Sequence, residues 1–553
     1  MANLLYDSLK VSMIKKLLFF VIVLGVFFRL YHLSSVPPSL SLDEVSIGYN
    51  AYSILGTGAD EYGTRFPLLL RAYDDFRPAL YVYLVVPFVK FFGLNALSVR
   101  LPSVILSIVT LVAVFYLVRE LIPEVSLKKK RISGEIIALI STFLLAISPW
   151  HIYLSRLGHE VNAGFAFFIF GLLFLLKKKI YLATPFIMLA FISYQTEKIF
   201  IPLFFTALII IYWRDFVPYW KKLVLSFIIG VIVLAPFITQ SFSEEGLLRF
   251  RGTNIFTANE ERFFASAKKL MVAKNFNNLL DQVLYNRRIV ALDIVGEAYF
   301  SHFNPYWLFQ NSGGEKHKVP FLGLLYIWEL PFIILGSLVL CFFINKKTRL
   351  LLIAWMLLAP LSSSITTEAP HAMRSLVFLP TFQILTALGL YGVYAMIRNS
   401  FFQKAFMVSL GAIIIVSINS LFINYFSVFP KTQSASFQYA LHQAIRYTLK
   451  NESQYSKIVF SNQNNLYQSY MFYLFESKYD PFLYQKQGGT KSGGFAETHA
   501  FGKYEFRPVN FKKEPINKGM LYIMNSIETL ENQPKLKTFK NLDGTEAINL
   551  LTN

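Results

Sequence analysis

The sequence predicts an all-α polytopic membrane protein with a small α/β domain at its C-terminal end. Three observations carry that expectation. The 553 residues are 54% hydrophobic and 17% aromatic, with Phe 55 and only 16% charged residues, a balance far from that of soluble domains. Apolar runs recur that approach the roughly 18 to 20 residues needed to cross a bilayer. After about residue 425 the apolar content drops and short strand-like runs take over. The single cysteine, Cys341, lies inside an apolar run, so no intramolecular disulfide can form and cysteine usage says nothing about the redox compartment.

The first apolar run, Leu17 to Leu30, follows Lys15 and Lys16 in the manner of a signal peptide. It lacks a small-x-small cleavage site and further spans follow, so it reads as a retained first helix. About eleven spans are expected, centred near 14–32, 97–118, 134–149, 162–176, 180–194, 199–213, 222–240, 321–344, 349–363, 375–397 and 404–424. The stretch "PALYVYLVVPFVKFFG" (78–93) is short and holds Pro87 and Lys90. It is expected to be re-entrant or interfacial, because counting it as a span would invert everything after it.

Charge orients this map. With the N-terminus cytoplasmic, the short inside segments hold nineteen Lys and Arg residues between Lys10 and Lys404, whereas the short outside connections hold only Arg156, Lys198 and Arg374. Short loops follow the positive-inside rule, which supports this orientation. Much of the net charge of +20 is therefore topological. The basic residues are scattered among helix ends rather than clustered, which argues against a nucleic-acid partner.

The orientation sorts the polar motifs. Inside loops are short and basic, and the outside face takes "SLDEVSIGYNAY" (41–52), "SPWHIYLSRLGHEVN" (148–162), "SYQTEK" (193–198), "TTEAPHAMR" (366–374), a long loop over 241–320 and a tail from about 425. Ionisable groups at helix ends near lipid are costly unless solvated or paired, so their gathering on one face points to an extracytoplasmic functional site. The segment "GGEKHK" (313–318) reads as a solvated turn. In the tail, "KIVFSN" (457–462), "SYMFYLFES" (469–477) and "MLYIMNS" (520–526) read as strands.

Several of these motifs together resemble a known family. An acidic pair soon after the first span, then "RPALYVYL" (77–84), "SVRLPSVILS" (98–107), "SPWHIYLSRLGHE" and "HAMRSLVFLPTFQILTALGLYG" (371–392) closely resembles the membrane glycosyltransferases of GT-C fold. The nearest group looks like the protein O-mannosyltransferases and lipid A aminoarabinose transferases. The likeness covers about residues 10–425. This chain has "RPA" where relatives often show Lys-Pro-Pro, and "HE" where they often end the second outside loop in Asp. Substrate details therefore do not carry across.

The resemblance implies a transmembrane glycosyltransferase domain over 1–425, with a first extracytoplasmic loop at 33–96, and an extracytoplasmic C-terminal domain over 426–553. It implies a cell-membrane, multi-pass enzyme that moves a sugar from a polyprenyl-phosphate donor to a protein, glycan or lipid acceptor. Such a donor already has a competent leaving group. Departure needs cations to stabilise the phosphate, and the attacking hydroxyl needs one base, whereas hydrolases need two carboxyls in different roles. Asp43 stands at the position of the family's catalytic acid residue and is expected to be that base in an inverting displacement. Glu44 beside it is the second carboxylate of the catalytic pair, with a structural or acceptor-binding job if the backbone is extended there. A helix running from "EVSIGYNAYSIL", capped by Ser41 or Asp43, is the competing reading of the same residues.

Arg374, Lys198, Arg156 and Arg77 are the expected donor-phosphate ligands, Arg gripping two oxygens and Lys acting as a point charge. Glu160, His159, His371, Tyr194 and Tyr49 are expected around the substrate pocket. Arg156 and Glu160, four apart, would share one face of a continuous helix and could pair. No cofactor is required. A divalent cation on His159 with Asp43, Glu44 or His371 is a candidate, since carboxylates and imidazoles are suitable ligands, but no HxxxH or DxD spacing occurs in these loops. Two other classes compete: a transporter or flippase for lipid-linked sugars, which calls for broken helices and ionisable groups at mid-membrane, and a non-catalytic scaffold, which leaves the outside polar cluster unexplained.

Overall fold

The computed structural model describes residues 2–73, 75–127, 130–311, 317–491, 498–511, 513–530 and 533–553. The expected turn at 313–318 lies mostly outside the described residues. The chain divides into two compact units. One comprises Met1–Phe28, Leu106–Leu154 and Val161–Leu421, and the other Arg29–Ile105, Ser155–Glu160 and Phe422–Asn553.

A helix falls at each of the eleven expected spans, among them Ala2–Leu30, Ala96–Leu121, Glu160–Leu176, Trp220–Ser241, Glu329–Phe343 and Ser400–Ile423. Among the described residues, four helices are long and apolar enough to cross a membrane, or five if the bent pair Gly134–Ala146 and Pro149–Ser155 is one span. Several others stop short: Ile180–Phe191 and Glu329–Phe343 have 12 and 15 residues. Prolines and polar turns cut the apolar runs, so hydropathy windows overstate helix length. Leu80–Phe92, with Pro87 inside it, is a 13-residue helix, too short to span alone, as the sequence indicated.

Within the first unit, Glu329–Phe343 lies against Thr381–Met396 at glycine contacts. A Cβ on Gly336 would stand 1.8 Å from the Leu385 carbonyl oxygen, and one on Gly389 would stand 2.0 Å from that of Phe332. Small residues at such crossings let backbones touch, which is how helices associate where no hydrophobic gradient drives them.

The second unit contains a six-stranded mixed sheet built entirely from the tail. Its order is His499–Phe501, Tyr504–Phe506, Lys457–Phe460, Met520–Asn525, Glu546–Leu551 and Lys535–Lys540. Lys457–Phe460 runs parallel to both neighbours, with Ile458 level with Tyr504 and Leu521. The outer pairings are antiparallel. Helices Tyr439–Asn451 and Ser469–Ser477 accompany the sheet, so the tail is α/β as expected. One expected strand is corrected: 469–477 is helical, with Tyr470, Met471, Phe472, Tyr473, Leu474 and Phe475 all buried. An apolar run buried on every side has no period to separate strand from helix.

Gly389→Ala should lower the melting temperature of the detergent-solubilised protein, at a cost of about 1–3 kcal/mol for overpacking. An unchanged melt would mean that the two helices separate freely.

Candidate active site

The acidic pair opens a helix, Leu42–Thr57. Ser41 is its N-cap: the Glu44 amide donates to Ser41 Oγ at 3.3 Å, and the Ser41 amide donates back to Glu44 Oε2 at 2.9 Å. This reciprocal box satisfies two of the donors a helix start leaves open. The backbone is therefore helical rather than extended at Asp43 and Glu44, and the two side chains diverge by the helical turn rather than by strand alternation.

Glu44 is committed to structure. Its Oε1 accepts from Arg100 Nε at 2.8 Å and from the Gly158 amide at 2.9 Å, and its Oε2 accepts from an Arg100 terminal nitrogen at 3.2 Å in addition to Ser41. The side chain is only 1% exposed. Burial opposes its charge, yet the Arg100 guanidinium and the two backbone amides outweigh that penalty and hold the carboxyl below its ordinary range. The remaining Arg100 donors go to the carbonyls of Leu33, Pro37 and Ser39. A carboxylate with four donors on it has no lone pair left for a substrate proton, so of the jobs expected for Glu44 the geometry fits the structural one, and it is an anchor rather than a catalytic carboxylate. Gly158 makes its approach possible: a Cβ there would stand 2.5 Å from Val99 Cγ1.

Asp43 differs in every respect. Its side chain is 53% exposed, and Arg77, 4% exposed, donates to Oδ1 at 3.2 Å. Arg77 is thus the carboxylate's neighbour, an arrangement that fixes its direction while leaving it open to solvent.

Arg156 is corrected likewise. It is fully buried, donates to the carbonyls of Arg29, Tyr31 and Val36 at 3.0, 2.8 and 2.6 Å, and lies over Tyr425 and Phe426. It staples the chain after the first helix rather than meeting a phosphate. The helix it was expected to share with Glu160 is broken, since Pro149–Ser155 ends one residue before it and the next helix starts at Glu160. Glu160 lies instead 3.4 Å from His159 Nδ1, both buried. Tyr49, buried, donates to the Tyr479 carbonyl at 3.2 Å and so serves the tail domain's packing.

Lys198, Arg374 and Tyr194 are brought together in the first unit, where all three line one cavity of about 370 Å³. Lys198 Nζ donates to Ser241 Oγ at 3.1 Å and lies 4.7 Å from the centre of the Phe237 ring. Arg374 donates to Thr366 Oγ1 at 2.8 Å and to the Thr367 carbonyl. No carboxylate lines this cavity among the described residues. Phe191 and Ile238 also line a second cavity of about 350 Å³, whose walls are almost wholly apolar, from Ile187, Phe205, Phe227 and Leu234 among others. His371 stands beside the cation through Nδ1, which accepts from the Arg374 amide at 3.4 Å.

Two residues of the second unit were missed by sequence reasoning. Arg100 was visible only as a charge inside an apolar run, a signal for an intramembrane ion pair. Glu61 had no signal at all. It is fully buried, accepting from Asn50 Nδ2 at 3.1 Å, Thr490 Oγ1 at 2.7 Å and Tyr470 hydroxyl at 3.3 Å. Burial pushes its carboxyl up to about 7, against those hydrogen bonds. Among the described residues, no three His, Cys, Asp or Glu side chains converge as a metal site.

No family model matches the chain, and no curated protein matches it in sequence. Among solved structures, the oligosaccharyltransferase AglB from Archaeoglobus fulgidus, in complex with an inhibitory peptide and a dolichol-phosphate, is similar at TM-score 0.51 and 13% identity over 85% of this chain. This chain spans 64% of AglB's length. ArnT from Cupriavidus metallidurans, bound to undecaprenyl phosphate, is similar at TM-score 0.49 and 10% identity over 98% of this chain and 97% of its own. The likeness to AglB establishes a shared fold, the GT-C fold that the motifs implied.

Glu61 gives a pH test. Its folded value of about 7 lies above the ordinary 4.5, so the native state keeps a proton that the unfolded chain has released. The carboxyl's contribution is complete below the ordinary value and is lost as pH rises through the folded one, a swing of about 3 kcal/mol. Glu61→Gln keeps the shape and removes the titration. Unfolding of the variant between pH 5 and 8 should lack the wild-type decline; parallel profiles would assign the decline to other groups.

Proposed function

We propose that this protein is a membrane glycosyltransferase that moves a sugar from a polyprenyl-phosphate donor to an acceptor hydroxyl on the extracytoplasmic face, with inversion. One observation carries the reading: Lys198 and Arg374 line a single cavity that holds no carboxylate, and that cavity shares Phe191 and Ile238 with an apolar one. Two cations beside an apolar channel suit an anionic headgroup on a long hydrocarbon, and AglB, which shares the fold, binds dolichol-phosphate.

The chemistry follows from the division of charge. The acceptor oxygen bonds to the anomeric carbon as the bond from that carbon to the phosphate oxygen breaks. The acceptor's proton goes to a carboxylate base, the role proposed for Asp43, and the departing electron pair stays on the phosphate, where cations stabilise it, the role proposed for Arg374 and Lys198. Arg77 holds the Asp43 carboxylate in place through Oδ1. The base belongs to a group that is exposed enough to meet a substrate, which Glu44 is not.

The test is transfer from a panel of labelled polyprenyl-phosphate sugars by the purified protein, with glycan, peptide and lipid acceptors. Transfer is expected with at least one donor, and Arg374→Ala should cut kcat/KM for the donor roughly 10- to 100-fold, the worth of a charge-assisted hydrogen bond, with the acceptor KM unchanged. No transfer with any donor, together with donor movement across vesicles, would replace this reading with that of a flippase.

A further inference from the structure

The start of the Asp43 helix borders a second, very different cavity. Its volume is about 180 Å³, and its lining lies wholly within the second unit. Leu42, the neighbour of Asp43, forms part of its wall, and Gln438, Asn465, Tyr467, Gln468 and Ser469 supply its polar lining. Among the described residues, no charged side chain lines it. Everything that could grip a ligand here is a neutral amide or hydroxyl, each able to donate and accept.

Two of these amides are held out for use. Gln438 and Asn465 sit in left-handed backbone, with φ of 53° and 70°, a conformation that costs energy in any residue with a Cβ. Neither side chain makes a hydrogen bond among the described residues. The loop bearing Asn465 is nonetheless firmly braced. Glu528 accepts from Ser461 Oγ at 2.6 Å and from Asn464 Nδ2 at 3.0 Å, the Leu466 amide donates to the Gln463 carbonyl at 3.0 Å, and Ser469 Oγ donates to the Ser461 carbonyl at 3.3 Å. Tyr467 beside it is 39% exposed. A braced loop that offers unused amides and a part-exposed aromatic ring is a surface suited to a ligand.

We infer that this cavity is the acceptor seat and that its ligand is a neutral sugar ring. The hydroxyls of a sugar both donate and accept, as the amides of Gln438 and Asn465 do, and its apolar face suits the Tyr467 ring. An anionic acceptor would bring a charge with no counter-ion to meet it. Its volume of about 180 Å³ is small beside the roughly 300 Å³ and upward of pockets that enclose drug-sized ligands, which suits one ring rather than a length of peptide. The seat takes Leu42 into its wall, at the start of the helix that carries Asp43, and we assign the sugar held there as the acceptor for the base named above. That last link rests on the proposed glycosyl transfer, but the binding does not.

The experiment separates the two. Saturation-transfer NMR with methyl hexosides as probes is run on the full-length Asp43→Asn protein in detergent, where no turnover is expected. At least one neutral hexoside should bind, and both Gln438→Ala/Asn465→Ala and Tyr467→Ala should weaken it about tenfold, the loss of two hydrogen bonds or of a stacking face. All three side chains lie at the surface of the cavity, and unchanged melts will show that the variants fold. In the transfer assay the same variants should raise the KM for a glycan acceptor about tenfold and leave the donor KM unchanged. Hexoside binding that ignores both variants, or no binding to any hexoside, overturns the seat. Binding of a Ser/Thr peptide that the variants abolish, with no hexoside bound, overturns the sugar assignment. Failure of transfer with hexoside binding intact would overturn only the enzymatic reading.

Discussion

The interaction on which the second unit depends is the buried ion pair between Glu44 and Arg100. Removing two charges from water is costly, and such a pair is tolerable only when every donor and acceptor is satisfied. Here they are: Arg100 places its donors on Glu44 and three carbonyls, and Glu44 takes two backbone amides besides the guanidinium. The result ties residues 33–44, the Gly158 turn and the start of the 96–121 helix to one point. It fixes the register and direction of the helix that opens at Leu42. Asp43, one residue before the anchor, inherits that precision without being consumed by it.

On the proposed reading, adjacent carboxylates divide two tasks that one residue could not perform. A group that must be saturated to be buried cannot also accept a proton from a substrate, and a group that must meet substrate cannot also be saturated. The same logic separates the two cavities. The one lined by Lys198 and Arg374 is cationic and adjoins apolar walls, whereas the one beside Leu42 is neutral and lined with amides.

Much of this was legible in the sequence, and the exceptions have physical causes. The apolar helices and the α/β tail follow from hydropathy, and three residues singled out by charge placement and motif order, Lys198, Arg374 and Tyr194, do line one cavity. The helical segment 469–477 was not legible, because burial on all sides erases its period. Arg156 was expected to bind a phosphate because it is a rare cation on its face. Whether a cation meets a ligand or a carbonyl depends on chain geometry that no motif encodes. Glu61 and the amides of Gln438 and Asn465 were silent for the same reason: their partners, or their lack of them, come from residues hundreds of positions away or from the backbone angle at a turn.

The central claim is that Asp43 works on the substrate and Glu44 on the fold, and one paired comparison tests it directly. Asp43→Asn and Glu44→Gln proteins are purified together, and each is melted and assayed for sugar transfer from the donor that serves the wild type. The account predicts that Asp43→Asn melts with the wild type and loses transfer by roughly 10²- to 10⁴-fold, the usual worth of a general base, while Glu44→Gln melts well below both. An Asp43→Asn protein that transfers sugar at the wild-type rate would contradict it.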